Sequence, residues 1–217
     1  MEKRLGLRAV VFDYGMVLTG PQDPAAHAEL VRLTGLPAER FEELYWADRQ
    51  AYDEGKVTGA AFWRELASEA GLALSEPAIE ELVAWDARMW STENRAMIAW
   101  QAALKGRGLL TAIVSNMCDT VHEYIERKFE WIARFDVCVW SYQLRVVKPN
   151  PTIFKHVLNQ LGTAAGEALF IDDRAVNVEA ALALGMRGLV FSTVEKLRSD
   201  MVEAGLGAEL PLPQRAD

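Results

Sequence analysis

Cysteine is scarce in this chain: two residues, Cys118 and Cys138, in 217. That is too few for a disulfide framework and excludes the small stapled scaffolds of oxidising compartments. Cys138 lies in an apolar run and reads as a small core residue. Positive charge is also short. Lys and Arg number 23 against 31 Asp and Glu, a formal net charge of −8. Such a chain has no global attraction for nucleic acid or an anionic membrane, and it repels anionic ligands at long range. A phosphate site here would need a local cation, a metal or a lysine, to reverse the field. Long apolar runs are missing too. No segment approaches the roughly 20 residues of a membrane span. The start, Met1-Glu2-Lys3-Arg4-Leu5-Gly6, lacks the apolar stretch of a secretion signal. A cytoplasmic protein is the expectation.

What is present suits a globular chain: 51% hydrophobic and 25% charged residues, enough length for a core domain with a small insertion. Short apolar, β-branched runs recur at residues 7–12, 109–114, 136–140, 168–171 and 188–191. Helical stretches at 120–129, 152–161, 176–184 and 194–204 separate them. The alternation predicts an α/β fold, a Rossmann-like doubly wound parallel sheet with its strand C-termini along one edge.

Residues 20–93 differ. They contain no convincing strand, and helical periodicity covers 25–33, 39–52, 59–70 and 77–90, with breaks at Gly35-Leu36-Pro37, Gly55 and Gly71. This predicts an all-helical cap (20–93) inserted into a core of 1–19 and 94–217. Trp46, Trp63, Trp85 and Trp90 fall in it at helical spacing, as expected of packing residues. Asp48, Arg49 and Tyr52 are candidate substrate contacts, with a solvated helix face the simpler reading, and the tail from Pro211 reads as frayed.

Four segments carry chemistry, each with a plain structural reading beside it. In Phe12-Asp13-Tyr14-Gly15 an aspartate ends an apolar strand, which turn formation alone could explain. In Val114-Ser115-Asn116 a strand ends in two hydrogen-bonding side chains, which is also ordinary turn composition. In Val147-Lys148-Pro149 a lysine follows an apolar pair; it is either a fixed charge or a solvated loop residue. In Ile171-Asp172-Asp173-Arg174 two adjacent carboxylates repel unless a hard cation relieves them, or one caps the next helix. Each lies at or just after a strand C-terminus. Together they supply a nucleophile, a hydroxyl, a lysine and an acidic pair, the parts needed to attack a phosphoryl group.

These segments resemble the four ordered motifs of the haloacid dehalogenase-like hydrolases, over essentially the whole chain. The insert is similar to the cap of C1-type members. Tyr52-Asp53-Glu54-Gly55-Lys56-Val57-Thr58 and Phe62-Trp63 resemble caps of the alpha-D-glucose-1-phosphate phosphatase subgroup. The resemblance implies Asp13 as nucleophile and Lys148 as the charge-neutralising lysine, with Ser115 and Asn116 holding the phosphate. It also implies Mg²⁺ at Asp13, the Gly15 carbonyl and Asp173, with Asp172 as ligand or as an acceptor behind it. The implied activity is hydrolysis of a small phosphorylated metabolite, such as a sugar phosphate, through an aspartyl-phosphate.

One position departs from the pattern. Many such phosphatases carry an aspartate two residues after the nucleophile as general acid and base; here it is Gly15. His27, His122 and His156 lie outside the motifs and read as surface residues, so no replacement is visible. The loss favours good leaving groups, such as an anomeric sugar phosphate. Two alternatives stay open: a metal-free 2-haloacid dehalogenase, and a phosphate-binding homologue with little turnover. A phosphonate hydrolase would need a cap lysine, and Lys56 reads as part of a surface turn.

Overall fold

The computed structural model describes residues 6–214, so the N-terminal reading at residues 1–5 and the tail reading at 215–217 lie outside it. Five parallel strands form one sheet in the order β3-β2-β1-β4-β5. They are β1 (Ala9–Phe12), β2 (Leu110–Ser115), β3 (Val137–Trp140), β4 (Ala168–Asp172) and β5 (Arg187–Val190). Each falls within two residues of its predicted start. β1 pairs with both β2 and β4, with Phe12 opposite Ile113 on one side and Ile171 on the other.

Side chains alternate across the pleat. Val10, Phe12, Ile113 and Ile171 join one buried cluster, and Ala9, Val11, Ala112, Val114 and Phe170 the other. Both faces are covered, so these strands read as continuous apolar runs. On the first face lie α6 (Arg95–Gly106), α7 (Asp119–Lys128) and α11 (Val194–Glu203); on the second, α9 (Pro151–Leu161) and α10 (Ala175–Ala183).

Helix α6 went unread in the sequence, although its signal is there. Asn94 caps it by accepting from the Met97 amide, and Met97, Trp100, Gln101 and Leu104 bury the i, i+3, i+4, i+7 face.

Between β1 and α6 the described chain is helical: α1 (Pro24–Thr34), α2 (Ala38–Ala47), α3 (Arg49–Asp53), α4 (Gly59–Glu69) and α5 (Glu76–Met89). Side-chain caps from Asp23, Thr58 and Ser75 open α1, α4 and α5. The helix expected over 39–52 breaks at Asp48, whose backbone leaves the helical region (φ −113, ψ 12). That break turns α3 inward. Arg49 and Tyr52 are buried rather than solvated, and only Asp48 of the three is exposed.

Tyr45, Phe41, Phe62 and Trp63 stack into an aromatic core in the insert. It is continuous with the first face of the sheet. The α3–α4 turn presses on the core domain at Gly55. A Cβ there would meet the Tyr142 carbonyl at 2.7 Å, and φ is +67, so only glycine suits the position.

The described part of the tail is docked, not frayed. Trp100 Nε1 donates to the Pro211 carbonyl at 2.6 Å, Arg198 donates to the Pro213 carbonyl, and Pro213 is buried. No helix among the described residues is long and apolar enough to cross a membrane.

Candidate active site

The C-terminal ends of β2, β1 and β4 are neighbours in the sheet. Strand order reverses between β1 and β4, the place where open α/β sheets bind ligands. Asp13 directly follows β1, Ser115 ends β2, and Asp172 ends β4 with Asp173 next. Sheet pairing runs to the last residue: the Asp13 amide donates to the Ile171 carbonyl at 2.8 Å. Lys148 enters from the loop between α8 (Ser141–Leu144) and α9.

A cavity of about 410 Å³ opens here, lined by Asp13, Gly15, Ser115, Asn116, Lys148 and Asp173. All the residues expected from the sequence except Asp172 therefore face one space. Asp172 lies behind it, 0% exposed. Its carboxylate accepts from Lys148 Nζ at 2.6 Å, from Asn177 Nδ2 at 3.0 and 3.1 Å, and from the Arg174 amide at 2.8 Å. It is a saturated acceptor that aims Lys148, whose ammonium also meets Asp13 Oδ1 at 2.8 Å.

Asn116 lines the cavity and is also tied to Lys148: Nδ2 donates to the Lys148 carbonyl at 3.0 Å, and Oδ1 accepts the Lys148 amide at 2.7 Å. That leaves the second Nδ2 hydrogen and the main-chain amide for a phosphate. Ser115 lines the cavity from its buried place at the strand end, and its Oγ donates to the Asn116 carbonyl at 3.4 Å.

Oxygens of Asp13, Asp172 and Asp173 lie within 4.8 Å of one another. An octahedral ion with bonds of about 2.1 Å spans roughly 4.2 Å between opposite ligands, and hard oxygens suit Mg²⁺. The cavity-facing carboxylates of Asp13 and Asp173 are the donor type such an ion takes, with Asp172 fixed behind them by its own hydrogen bonds. The electrostatics agree. Burial pushes the Asp13 carboxyl up to about 7; Lys148 opposes this, and Asp172 and Asp173 add to it. Asp173 is raised by burial and then by Asp172. Burial works against the Lys148 charge, yet Asp13 and Asp172 hold its pKa above the ordinary value. One ammonium faces three carboxyls, and the surplus negative charge is what a divalent cation would compensate.

The insert supplies further walls, of which the sequence offered only Arg49 as a contact. Trp46, Arg49, Asp53 and Trp90 line the cavity. Trp46 is 49% exposed and Trp90 half-buried, so these two are not plain packing residues. Arg49 is buried over the Tyr45, Tyr52 and Trp90 rings at 5.1 to 5.6 Å, and it pairs with Asp53 at 3.0 Å and Asp86 at 3.3 Å. The break at Asp48 was the signal that could have separated these residues from a continuous surface helix. Of the histidines, His122 is buried and bonds to the Tyr142 hydroxyl at 3.0 Å, and His27 and His156 are half-buried. None lines the cavity. Lys56 is exposed and paired with Glu54, away from the cavity.

The model of the haloacid dehalogenase-like hydrolases matches residues 7–185. The chain belongs to this family and is a hydrolase. It is 32% identical to the sesquiterpene phosphatase astK of Aspergillus oryzae over 64% of this chain and 70% of that one. It is 27% identical to phosphatase MT3486 of Mycobacterium tuberculosis over 95% and 98% of the two chains. The fold is shared with the family enzyme bt-2542 of Bacteroides thetaiotaomicron, solved with magnesium and inorganic phosphate (TM-score 0.72, 22% identity, 86% of this chain and 95% of that one). It is shared too with L-2-haloacid dehalogenase of Xanthobacter autotrophicus (TM-score 0.66, 21% identity, 95% and 85%).

Proposed function

We propose that this hydrolase is a Mg²⁺-dependent phosphatase acting on a small phosphorylated metabolite through an aspartyl-phosphate on Asp13. The observation that carries the reading is the acidic trio beside Lys148 at the switch point of the sheet. Asp13, Asp173 and the Gly15 carbonyl would hold Mg²⁺, with Asp172 the third carboxylate close by. Bound there, the ion would neutralise charge on the phosphoryl group and the nucleophile.

A carboxylate oxygen of Asp13 attacks phosphorus, and the bond to the leaving oxygen breaks. Water then hydrolyses the aspartyl-phosphate and frees Asp13. Lys148 holds Asp13 in place and offsets negative charge throughout. Ser115 Oγ and Asn116 would hold phosphoryl oxygens. Trp46 and Trp90 line the space for the leaving group, and aromatic walls suit a sugar phosphate as the substrate class. The insert is proposed as a cap over residues 20–93, closing this space from solvent and selecting the leaving group.

The phosphatase reading is favoured over a metal-free dehalogenase by Asp173. It faces the cavity beside Asp13 and would repel the carboxylate of a haloacid. The test is phosphate release from p-nitrophenyl phosphate with Mg²⁺ and with EDTA, for wild type and Asp13→Asn. Release only with Mg²⁺, and none from the variant, supports the reading. Halide release from 2-chloropropionate in EDTA would replace it with the dehalogenase. No turnover of either substrate would favour a binding homologue.

A further inference from the structure

With glycine at position 15, no carboxylate of the nucleophile loop can protonate the leaving oxygen or activate water. We propose that Asp53, carried by the insert, is the general acid and base of this site. The inference rests on the phosphatase reading above. Asp53 lines the same cavity as Asp13, Lys148 and Asp173. Its position is fixed from both sides. Its carbonyl accepts from Ser141 Oγ at 2.5 Å, and the same hydroxyl accepts the Met117 amide at 2.8 Å. Two hydrogen bonds thus link Asp53 to the loop that begins at Ser115. On the other side, Arg49 Nε donates to Asp53 Oδ1 at 3.0 Å.

A count of charges explains why this carboxyl can carry a proton. Arg49 is one buried cation, and it faces two carboxyls, Asp53 and Asp86. With both ionised the cluster holds one surplus negative charge in a poorly solvated place. A proton on either carboxyl makes it neutral. Asp86 is 0% exposed and Asp53 15% at the side chain, so Asp53 is the one that can exchange its proton with a cavity ligand.

The groups acting on Asp53 come from three directions: Arg49 beside it, Asp86 from α5, and Lys148 from the core loop. Burial raises its pKa; Arg49 and, more weakly, Lys148 oppose this, Asp86 adds to it, and the balance is upward. The remaining hydrogen bonds of Arg49 go to Tyr45, Asp86 and Cys118. Arg49 is therefore a positioning residue, and Asp53 Oδ2 is the atom left for the substrate.

The proton balance closes. As Asp13 displaces the leaving group, the proton on Asp53 Oδ2 passes to the leaving oxygen, giving an alcohol and the Asp53 carboxylate. As water attacks the aspartyl-phosphate, that carboxylate takes the water proton. Phosphate leaves, Asp13 is restored as a carboxylate and Asp53 as an acid. A poor, alkoxide leaving group then comes within reach, which Gly15 alone would forbid.

The test compares wild type with the isosteric Asp53→Asn on p-nitrophenyl phosphate, a good leaving group, and phenethyl phosphate, a poor one, both with Mg²⁺. The variant is expected to lose about 10²–10⁴-fold in kcat/KM on phenethyl phosphate and less than about tenfold on p-nitrophenyl phosphate. On the latter it should also release a burst of one p-nitrophenol per enzyme, because hydrolysis of the aspartyl-phosphate has lost its base. In wild type, kcat/KM on phenethyl phosphate should fall with rising pH as Asp53, raised above the ordinary carboxyl range by burial, loses its proton. The p-nitrophenyl phosphate profile should lack that limb, and this readout needs no variant. Equal losses on both substrates, no loss on either, or matching limbs would overturn the role of Asp53 and leave the phosphatase reading standing. A wild type inactive on both substrates would overturn both.

Discussion

The side chain of Asn116 holds the main chain of Lys148 at both ends, donating to its carbonyl at 3.0 Å and accepting its amide at 2.7 Å. The lysine that faces Asp13 is thus aimed from two directions, by Asp172 at its tip and Asn116 at its root. Asn116→Ala removes both root contacts. Leaving partly buried polar groups unpaired costs on the order of 1–3 kcal/mol. The expected outcome is that loss in urea unfolding, with kcat down at least about tenfold and KM changed less, because the main chain of Asn116 stays available to the phosphate. A rise in KM with kcat unchanged would mean that the amide contacts substrate directly.

The same pair shows what sequence could and could not reveal. Strand ends are legible because a buried parallel strand is an uninterrupted apolar run, so Asp13, Ser115 and Asp172 could each be placed at one edge of the sheet. That Asn116 points back at Lys148 is a contact across 32 residues, and no local pattern encodes it. The insert was legible as helices, and of its cavity walls only Arg49 could be offered as a contact, beside the plainer reading of a solvated face. Arg49 and Asp53 look like any charged helix face until the backbone turn at Asp48 and the aromatic cluster around Tyr45 direct them inward. The tail was misread because its anchor is Trp100, on a helix the reading had missed.

Among the described residues, Arg49 is the only cation ion-paired with both Asp53 and Asp86. Arg49→Met keeps the stem over the rings of Tyr45, Tyr52 and Trp90 but leaves two buried carboxyls uncompensated. Breaking a buried pair in this way costs roughly 3–5 kcal/mol. Adding Asp86→Asn should recover part of that loss, since one of the orphaned charges is gone. Chemical denaturation of the wild type, the single variants and the double variant checks it. Independent, additive losses would show that the two side chains do not share charge.

His122 makes the stability depend on pH. Burial holds its pKa below the ordinary 6.5, with Glu126 and Glu123 pulling the other way. The folded chain therefore favours the neutral ring. This contribution is complete above the unfolded value and is lost as pH falls through the lower, folded one. Between pH 7.5 and 5 the raised carboxyls of Asp13, Asp53 and Asp173 work the other way, so the check is the difference: urea midpoints should gain less, or lose more, on acidification in wild type than in His122→Phe, which stacks in the same place against Trp140. An unchanged slope would move the effect to other groups. The variant should also be weakened at every pH by losing the hydrogen bond to Tyr142.

Position 15 has room for a carboxyl. Its φ is −62 and ψ 137, which any L-residue adopts, and a Cβ built there meets nothing within 4 Å. Gly15→Asp should therefore fold with little change in thermal midpoint. The new carboxyl would stand two residues from the nucleophile, on the wall of the same cavity. If acid catalysis is what position 15 lacks, it should raise kcat/KM on phenethyl phosphate, and it should return at least about tenfold of the activity lost in Asp53→Asn. On p-nitrophenyl phosphate, where protonation matters least, it should change kcat/KM little. A gain equal on both substrates would point to altered binding, because proton donation must discriminate between leaving groups and uniform binding does not.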